Sequence, residues 1–370
     1  MGIVFAILLF GFLVFFHELG HFLCARINKI EVSSFSIGMG PTILSKTKKG
    51  TKYCLKLLPL GGSCVMGEDE EATGKPGNFH SKSVWARIMV IAGGPIFNFI
   101  LAFVMAIVLV AMSGFDAPVI SAAEDGYPAA KAGLQAGDEI IKIGNDRIHF
   151  FREISFYNQT HQGEEVRIIY KRDGVTYSAT LKPQMDEEAG YYRLGIISSG
   201  VTKANFGQSI VYGWHEVGYT IKTTITSLRM LITGKFGLSE LTGPVGIVQM
   251  ANQTYEASKD YAEQTWEENE DEGQEGAETS GSWAMRLFVA KTVFIEFLYL
   301  AVLLSANLGV MNLLPIPALD GGRLVFLLVE AVTRKKIPPE KEGIVHLIGF
   351  VLLIGLMVVV MFQDIRKLFV

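Results

Sequence analysis

Residues 2–27 read GIVFAILLFGFLVFFHELGHFLCARI and decide the fold. The stretch carries no charge before its histidines and is long enough to cross a bilayer as a helix. His17, Glu18 and His21 form the pattern H-E-x-x-H, which on a helix places two imidazoles on one face, where both can bind one Zn²⁺. Glu18 can then act on a metal-bound water. Polar side chains are costly in hydrocarbon, so a metal site is favoured over a polar cluster that only joins helices.

The composition indicates a membrane protein with a soluble part. Of 370 residues 49% are hydrophobic and 19% are charged, and the net charge of −4 argues against a nucleic-acid partner. The three cysteines form no C-x-x-C pair, which gives neither a disulfide framework nor a zinc ribbon. The first apolar run has no basic leader and no cleavage site, so residues 1–26 are expected to stay as a transmembrane helix.

Four apolar stretches reach the length of about 20 residues that a membrane span needs. They lie at 2–26, 88–112, 297–319 and 343–362, and the third leads into an LDGG motif, which extends that element to 322. The loops 27–87 and 323–342 are rich in Lys and Arg, so the positive-inside rule places both in the cytoplasm. The N terminus, the region 113–296 and the C terminus, which follows the last element 343–370, then face outside, although Arg366 and Lys367 argue weakly against this.

The cytoplasmic loop 27–87 is predicted to be rich in β structure. FSIGMGPTIL, TKYCLKLLPL and GGSCVMG alternate extended segments with Gly, Pro and basic turns. A β-rich loop beside a membrane site could line its entrance or dip into the bilayer, against protein or water. Two roles stay open: the loop holds an unwound substrate as an added strand, or it is a lid over the site.

Residues 113–199 are predicted to form an α/β domain outside the membrane. APVISAA, DEIIKIG, EVRIIYKR and VTYSATLK are typical of strands, and FREISFYNQTHQ of a helix. GYPAAKAGLQAGDEIIKIGNDRI resembles the signature of a PDZ domain, whose groove binds a peptide as an added strand. The alternative is a domain that acts only as a steric plug.

The rest of the outer region, 200–296, is predicted to lack a span. Residues 206–235 are apolar but interrupted by charges, which indicates an amphipathic helix on the membrane surface. Residues 256–280 hold ten acidic residues against Lys259 alone and are predicted to be a disordered insert.

Asp320 is the best candidate for a third metal ligand. Catalytic zinc normally has three protein ligands and one open position. Asp320 follows two helix-breaking prolines in NLLPIPALDGGRL, and the break lets its carboxylate turn inward at the depth of the two histidines. A turn aspartate at the membrane interface is the alternative. Weaker candidates for the third ligand are Glu330, Glu296, His346 and Cys24.

Together these motifs resemble the site-2 protease family of intramembrane zinc metalloproteases. FHELGHFLCAR, NLLPIPALDGG and the PDZ-like insertion carry the resemblance, and FSIGMGP, LPLGGSCVMGE, AGGPIFNF and LTGPVGI agree with it. The similarity covers nearly the whole chain and is greatest to the bacterial RseP- and RasP-like group, in its form with a single PDZ domain. The implied fold is a polytopic α-helical membrane protein with about four transmembrane helices.

The resemblance implies a role for each matching residue. His17, His21 and Asp320 would bind Zn²⁺, and Glu18 would be the catalytic base. The chain departs from the family pattern in two places. Ser63 and Cys64 stand where the family usually has an aromatic residue and a valine, and the acidic insert 256–280 is longer than expected. The residues expected to bind substrate are Asn312, Pro315, Pro317, Asn98 and Gly94.

The implied activity is hydrolysis of peptide bonds inside the transmembrane segments of single-span proteins, after their outer domains have been trimmed. Anti-sigma factors and remnant signal peptides are the substrate classes that the resemblance implies. The protein would lie in the bacterial inner membrane, with the N terminus and the PDZ-like domain extracytoplasmic. A non-catalytic scaffold and a zinc transporter are the competing functions. A scaffold has no need of Glu18, and a transporter needs a continuous polar path.

Overall fold

The computed structural model describes residues 2–67, 77–187, 190–237, 241–271 and 282–367. The chain divides into two compact units, one made of residues 1–105 and 220–370 and the other of residues 106–219. The helices in the described part are α1 (Gly2–Ile27), α2 (Val84–Ser113), α3 (Pro128–Lys131), α4 (Arg152–Thr160), α5 (Phe206–Ile232), α6 (Pro244–Asp271), α7 (Ser282–Leu313), α8 (Asp320–Thr333) and α9 (Pro339–Lys367).

Four described helices are long and apolar enough to cross a membrane. They are α1, α2, α7 and α9, in which the apolar stretches cover Gly2–Ile27, Val84–Ser113, Trp283–Leu313 and Glu340–Lys367. The sequence prediction for the third was wrong at both ends. The helix begins well before residue 297 because its first turns pack on α6, and it ends at Leu313 because Pro315 cannot continue it.

Helix α8 occupies part of the segment 323–342 that the sequence predicted as a loop. Its Leu327 is buried in one apolar cluster with Ala25 of α1 and Val90 of α2, and Leu324 packs against that cluster. Near its C-terminal end, Glu330 accepts a hydrogen bond of 2.5 Å from the buried Arg87. Of the basic residues that suggested a loop, Arg323 lies inside α8, and the others begin at Arg334, after the helix has ended.

The β-rich region 27–87 contains two long strands, β1 (Val32–Lys48) and β2 (Thr51–Met66). Phe35 lies opposite both Tyr53 and Cys64, so the first part of β1 is flanked on both sides by β2. The result is a sheet of four segments in the order 42–48, 51–56, 32–37 and 62–66. Segment 62–66 is therefore an edge of this sheet, and β2 packs on α1.

The second unit is an α/β unit with its own apolar core. Its main sheet has the strand order β6-β5-β7-β8, and Ile140, Ile143 and Ile168 are fully buried beneath it. Arg172 pairs with the buried Asp138 at 2.7 Å and ties β7 to the turn before β5. The strands are β3 (Phe115–Asp116), β4 (Ile120–Ala123), β5 (Glu139–Ile143), β6 (Asp146–Arg147), β7 (Val166–Arg172), β8 (Val175–Leu181), β9 (Gln184–Asp186), β10 (Tyr191–Arg193), β11 (Ile196–Ser198) and β12 (Val201–Thr202).

The first part of the acidic stretch 256–280 differs from its prediction. Residues 256–271 are the C-terminal part of α6, and residues 272–280 lie outside the described residues. The helix forms because its apolar side chains recur at helical spacing and pack on α7: Ala262 is fully buried, and Trp266 meets Phe288 with ring centroids 5.8 Å apart. Composition alone predicted disorder because it ignores this spacing. Residues 206–232 of the predicted helix 206–235 form α5, which is not among the four candidate spans found in the described residues.

Candidate metal centre

His17 and His21 lie one turn apart on the buried face of α1. Their side chains meet the carboxylate of Asp320, the first residue of α8. The two Nε2 atoms are 3.2 Å apart, and Asp320 Oδ2 lies 3.2 Å from Nε2 of His17 and 3.4 Å from Nε2 of His21. Ligands about 2.0–2.1 Å from a tetrahedral zinc ion are about 3.3 Å from one another. The three atoms therefore have the spacing of zinc ligands.

The protonation of the site also fits a metal ion. His21 Nδ1 donates to the carbonyl oxygen of Val90 at 2.9 Å, which leaves its Nε2 with a free lone pair. Asp320 Oδ2 is buried and accepts no hydrogen bond of good geometry from the described residues. Two imidazole nitrogens and a carboxylate oxygen are a zinc donor set, and a fourth position stays available for water.

The other sequence candidates are not part of this cluster. Among the described residues, His17, His21 and Asp320 are the group with ligand atoms close enough to hold an ion. Glu330 is paired with Arg87, and His346 Nδ1 accepts a hydrogen bond from the backbone of Ala318.

Glu18 projects from α1 toward strand β2. A Cβ built on Gly62 would lie 2.9 Å from Glu18 Cγ, so the sheet edge passes directly over the carboxylate. Glu18 accepts a hydrogen bond from the backbone N–H of Cys64 on the same edge. The general-base candidate thus lies between the histidines and an edge strand.

Gly94 brings α2 against the two histidines. A Cβ at this position would lie 2.4 Å from His21 Nε2 and 2.7 Å from His17 Cε1. On α1, Gly20 lies between the two histidines, and a Cβ built on it would lie 2.2 Å from the carbonyl oxygen of Gly93 on α2. The two helices therefore cross with their backbones in contact, which only glycines permit here.

Asn98 is fully buried and holds the ring of His17. Its Nδ2 lies 3.0 Å from His17 Nδ1, and its Oδ1 has no hydrogen-bond partner among the described residues. Binding zinc through Nε2 requires a proton on Nδ1, so the amide must present its oxygen to the ring. A half-turn of the amide, which exchanges two atoms of nearly equal size, achieves this.

The predicted substrate-binding residues fall into two groups. The structure places Asn98 and Gly94 against the candidate ligands His17 and His21, and substrate binding by these two residues stays a prediction. Asn312 is in the last turn of α7, Pro315 is exposed in the segment after it, and Pro317 packs on Gly349 of α9. Substrate binding by these three residues stays a prediction.

Sequence reasoning missed Val90, Gly20 and Gly93. Val90 acts through its carbonyl oxygen, for which no side-chain signal exists. The two glycines could have been found as a pair of small residues that lets two membrane helices approach closely.

Replacing Asn98 with leucine is expected to lower the affinity for zinc by about 10–100-fold, the range found when a partner of a ligand histidine is lost. His17 would lose the group that fixes its tautomer. Competition with a chelator of known affinity measures the change. Replacement by aspartate, which also accepts from Nδ1, is expected to retain more affinity than leucine, and equal losses in the two variants would contradict the assignment.

Comparison with known proteins agrees with the geometry. The model of peptidase family M50 matches residues 5–267 and 284–356. Zinc metalloprotease RasP of Bacillus licheniformis is 34% identical over 450 residues, which covers 98% of this chain and 98% of that protein. Regulator of sigma-W protease RasP of Bacillus subtilis is 32% identical over 447 residues, again covering 98% of both chains.

Solved structures match a smaller part of the chain. The PDZ domain of an SdrC-like protein from Listeria monocytogenes is 28% identical, covers 23% of this chain and 90% of that one, and gives a TM-score of 0.21. The family match extends over most of the chain and includes every residue of the metal centre. The chain belongs to peptidase family M50 and is a zinc metalloprotease of the site-2 type.

Proposed function

We propose that the protein hydrolyses peptide bonds within the transmembrane segments of single-span membrane proteins. The observation that carries this proposal is the position of Glu18 beside a three-ligand zinc site on an apolar helix. A scaffold would not need this base, and a transporter would need a polar path rather than one compact site. We further propose that Asn312, Pro315 and Pro317 contact the substrate.

Each part of the proposed reaction is assigned to residues that the structure describes. His17, His21 and Asp320 would hold the ion, with Val90 and Asn98 orienting the two rings. When bound, Zn²⁺ supplies a Lewis acid that acidifies a water molecule and polarises the scissile carbonyl. Glu18 takes the proton of the attacking water and passes it to the nitrogen of the leaving amine.

The substrate must present an extended backbone to these groups. The amides of a helix are bonded to carbonyls four residues away and are therefore inaccessible. The edge 62–66 of the sheet lies over Glu18 and could pair with an unwound segment, as in other cases of strand addition. Gly61 and Gly62 would let a second backbone come near the site.

One relative is named a regulator of sigma-W protease, so a membrane-anchored regulator of a sigma factor is the first substrate to test. We propose that the outer domain of such a substrate is trimmed first, and that the PDZ-like unit either binds a peptide or excludes bulky substrates. We also propose an inner-membrane location with the N terminus and this unit outside, since the segments 27–87 and 323–342, which connect candidate spans, are basic.

The test is cleavage of a single-span model substrate, trimmed and untrimmed, by the purified full-length protein in detergent. We expect a cut within the apolar segment, located by mass spectrometry, only with the trimmed form. Chelation should abolish cleavage, and added zinc should restore it. A protein that binds zinc and substrate but never cuts would favour the scaffold, and equal cleavage of both forms would contradict the trimming requirement.

A further inference from the structure

The segment 314–319 connects α7 to α8 and sets the direction of Asp320. It turns back on itself through hydrogen bonds from Ile316 N–H to Leu314 O at 2.7 Å and from Leu319 N–H to Ile316 O at 3.1 Å. Ala318 has φ +80°, a left-handed conformation that residues with a Cβ rarely adopt. This conformation lies two residues before the metal ligand and needs support from outside the segment.

That support comes from His346 on α9. The backbone N–H of Ala318 donates to His346 Nδ1 at 2.8 Å. Because Nδ1 accepts, the proton of the neutral ring is on Nε2, which faces Glu342 Oε1 at 3.8 Å. The ring also contacts Phe326 of α8, with centroids 5.7 Å apart. One imidazole therefore touches the connecting segment, α8 and a carboxylate of its own helix.

A second contact holds the same segment against α9. A Cβ built on Gly349 would lie 2.4 Å from Cβ of Pro317. Close packing at Pro317 brings α9 near enough for His346 to reach the next residue, Ala318. Packing alone fixes the distance between the segment 314–319 and α9, whereas the hydrogen bond also fixes the orientation of the Ala318 peptide.

We propose that His346 is a positioning residue for Asp320. By accepting the Ala318 N–H, it holds the left-handed turn that aims the Asp320 carboxylate at the two histidines. The proposal rests on the metal centre proposed above. Its readout is zinc affinity, so it stays testable even if the protein proves unable to cleave a substrate.

The test compares two replacements in the full-length protein purified in detergent. Phenylalanine keeps the ring but removes the acceptor, and we expect His346→Phe to weaken zinc binding by about 10–100-fold in competition with a chelator. Asparagine offers Oδ1 near the position of Nδ1, and we expect His346→Asn to stay within about threefold of the wild type. Leu347→Phe, which changes an exposed neighbour, is the control for added ring volume.

A second variant separates positioning from general damage to α9. Ala318→Gly makes φ +80° acceptable without help, so in its background we expect His346→Phe to cost less than about threefold. A loss of tenfold or more in His346→Asn would overturn the proposal even if the phenylalanine variant did not fold. It would also be overturned if His346→Phe bound zinc as tightly as Leu347→Phe, or if its loss were unchanged beside Ala318→Gly.

Discussion

Replacing Glu18 with glutamine is expected to lower kcat by about 10²–10⁴-fold while the protein keeps its zinc. Glutamine has nearly the same size and can still lie beneath the β2 edge, but it cannot take a proton from water. Glu18 is not among the three clustered ligand residues, so zinc affinity should change little. The measurements are single-turnover cleavage of the trimmed substrate and the metal content of the same sample.

The matched control is Glu139→Gln, which changes an exposed carboxylate on β5. It should cleave at the wild-type rate. If Glu18→Gln cleaved within threefold of the wild type, Glu18 would not be the base. If it lost zinc together with activity, Glu18 would help to hold the metal, and its catalytic role would be undecided by rate alone.

Replacing Gly94 with alanine is expected to lower zinc affinity by about 100-fold or more and to remove cleavage with it. The new methyl group would lie 2.4 Å from His21 Nε2, where the lone pair of a ligand meets the ion. The helices could relieve this clash by moving apart, but they would then lose the close packing of the Gly20 backbone on that of Gly93. Zinc content after dialysis against a buffered chelator measures the loss.

The control for Gly94 is Gly355→Ala in α9, where an added Cβ would meet nothing within 4 Å. Alanine is favoured over glycine inside a helix, so this variant should be as stable as the wild type or slightly more stable. Retention of zinc by Gly94→Ala at the wild-type level would mean that the two histidines do not bind through the atoms that face α2.

The residues of the candidate metal centre could be picked out from the sequence because their signals are local. His17 and His21 share a face by helical spacing, and the prolines before Asp320 mark a break that frees a carboxylate. The roles of Asn98 and Gly94 depend on where α2 crosses α1, which no spacing within either helix reveals. Similarly, α8 was missed because its stabilising partners, Ala25 and Val90, come from distant parts of the chain.

In the β-rich region 27–87, contacts between distant parts of the chain again limited what could be predicted. The extended segments could be predicted from their pattern and from the Gly, Pro and basic turns between them. The pairing of Phe35 with two different parts of β2 could not, because it depends on how the hairpin folds back. The acidic half of α6 was predicted to be disordered because charge dominates its composition. Its structure depends on a few apolar side chains that face α7, such as Ala262 and Trp266.

The proposed third ligand, Asp320, is about 300 residues further along the chain than the two histidines. During synthesis, α1 and α2 leave the ribosome long before Asp320 does, and the growing chain then holds two ligands of the three. His346, which supports the turn before Asp320, is translated later still. With the proposed ligand set, a nascent chain therefore lacks a complete zinc site until Asp320 has been translated, and the turn before Asp320 lacks its contact with His346 until α9 has followed.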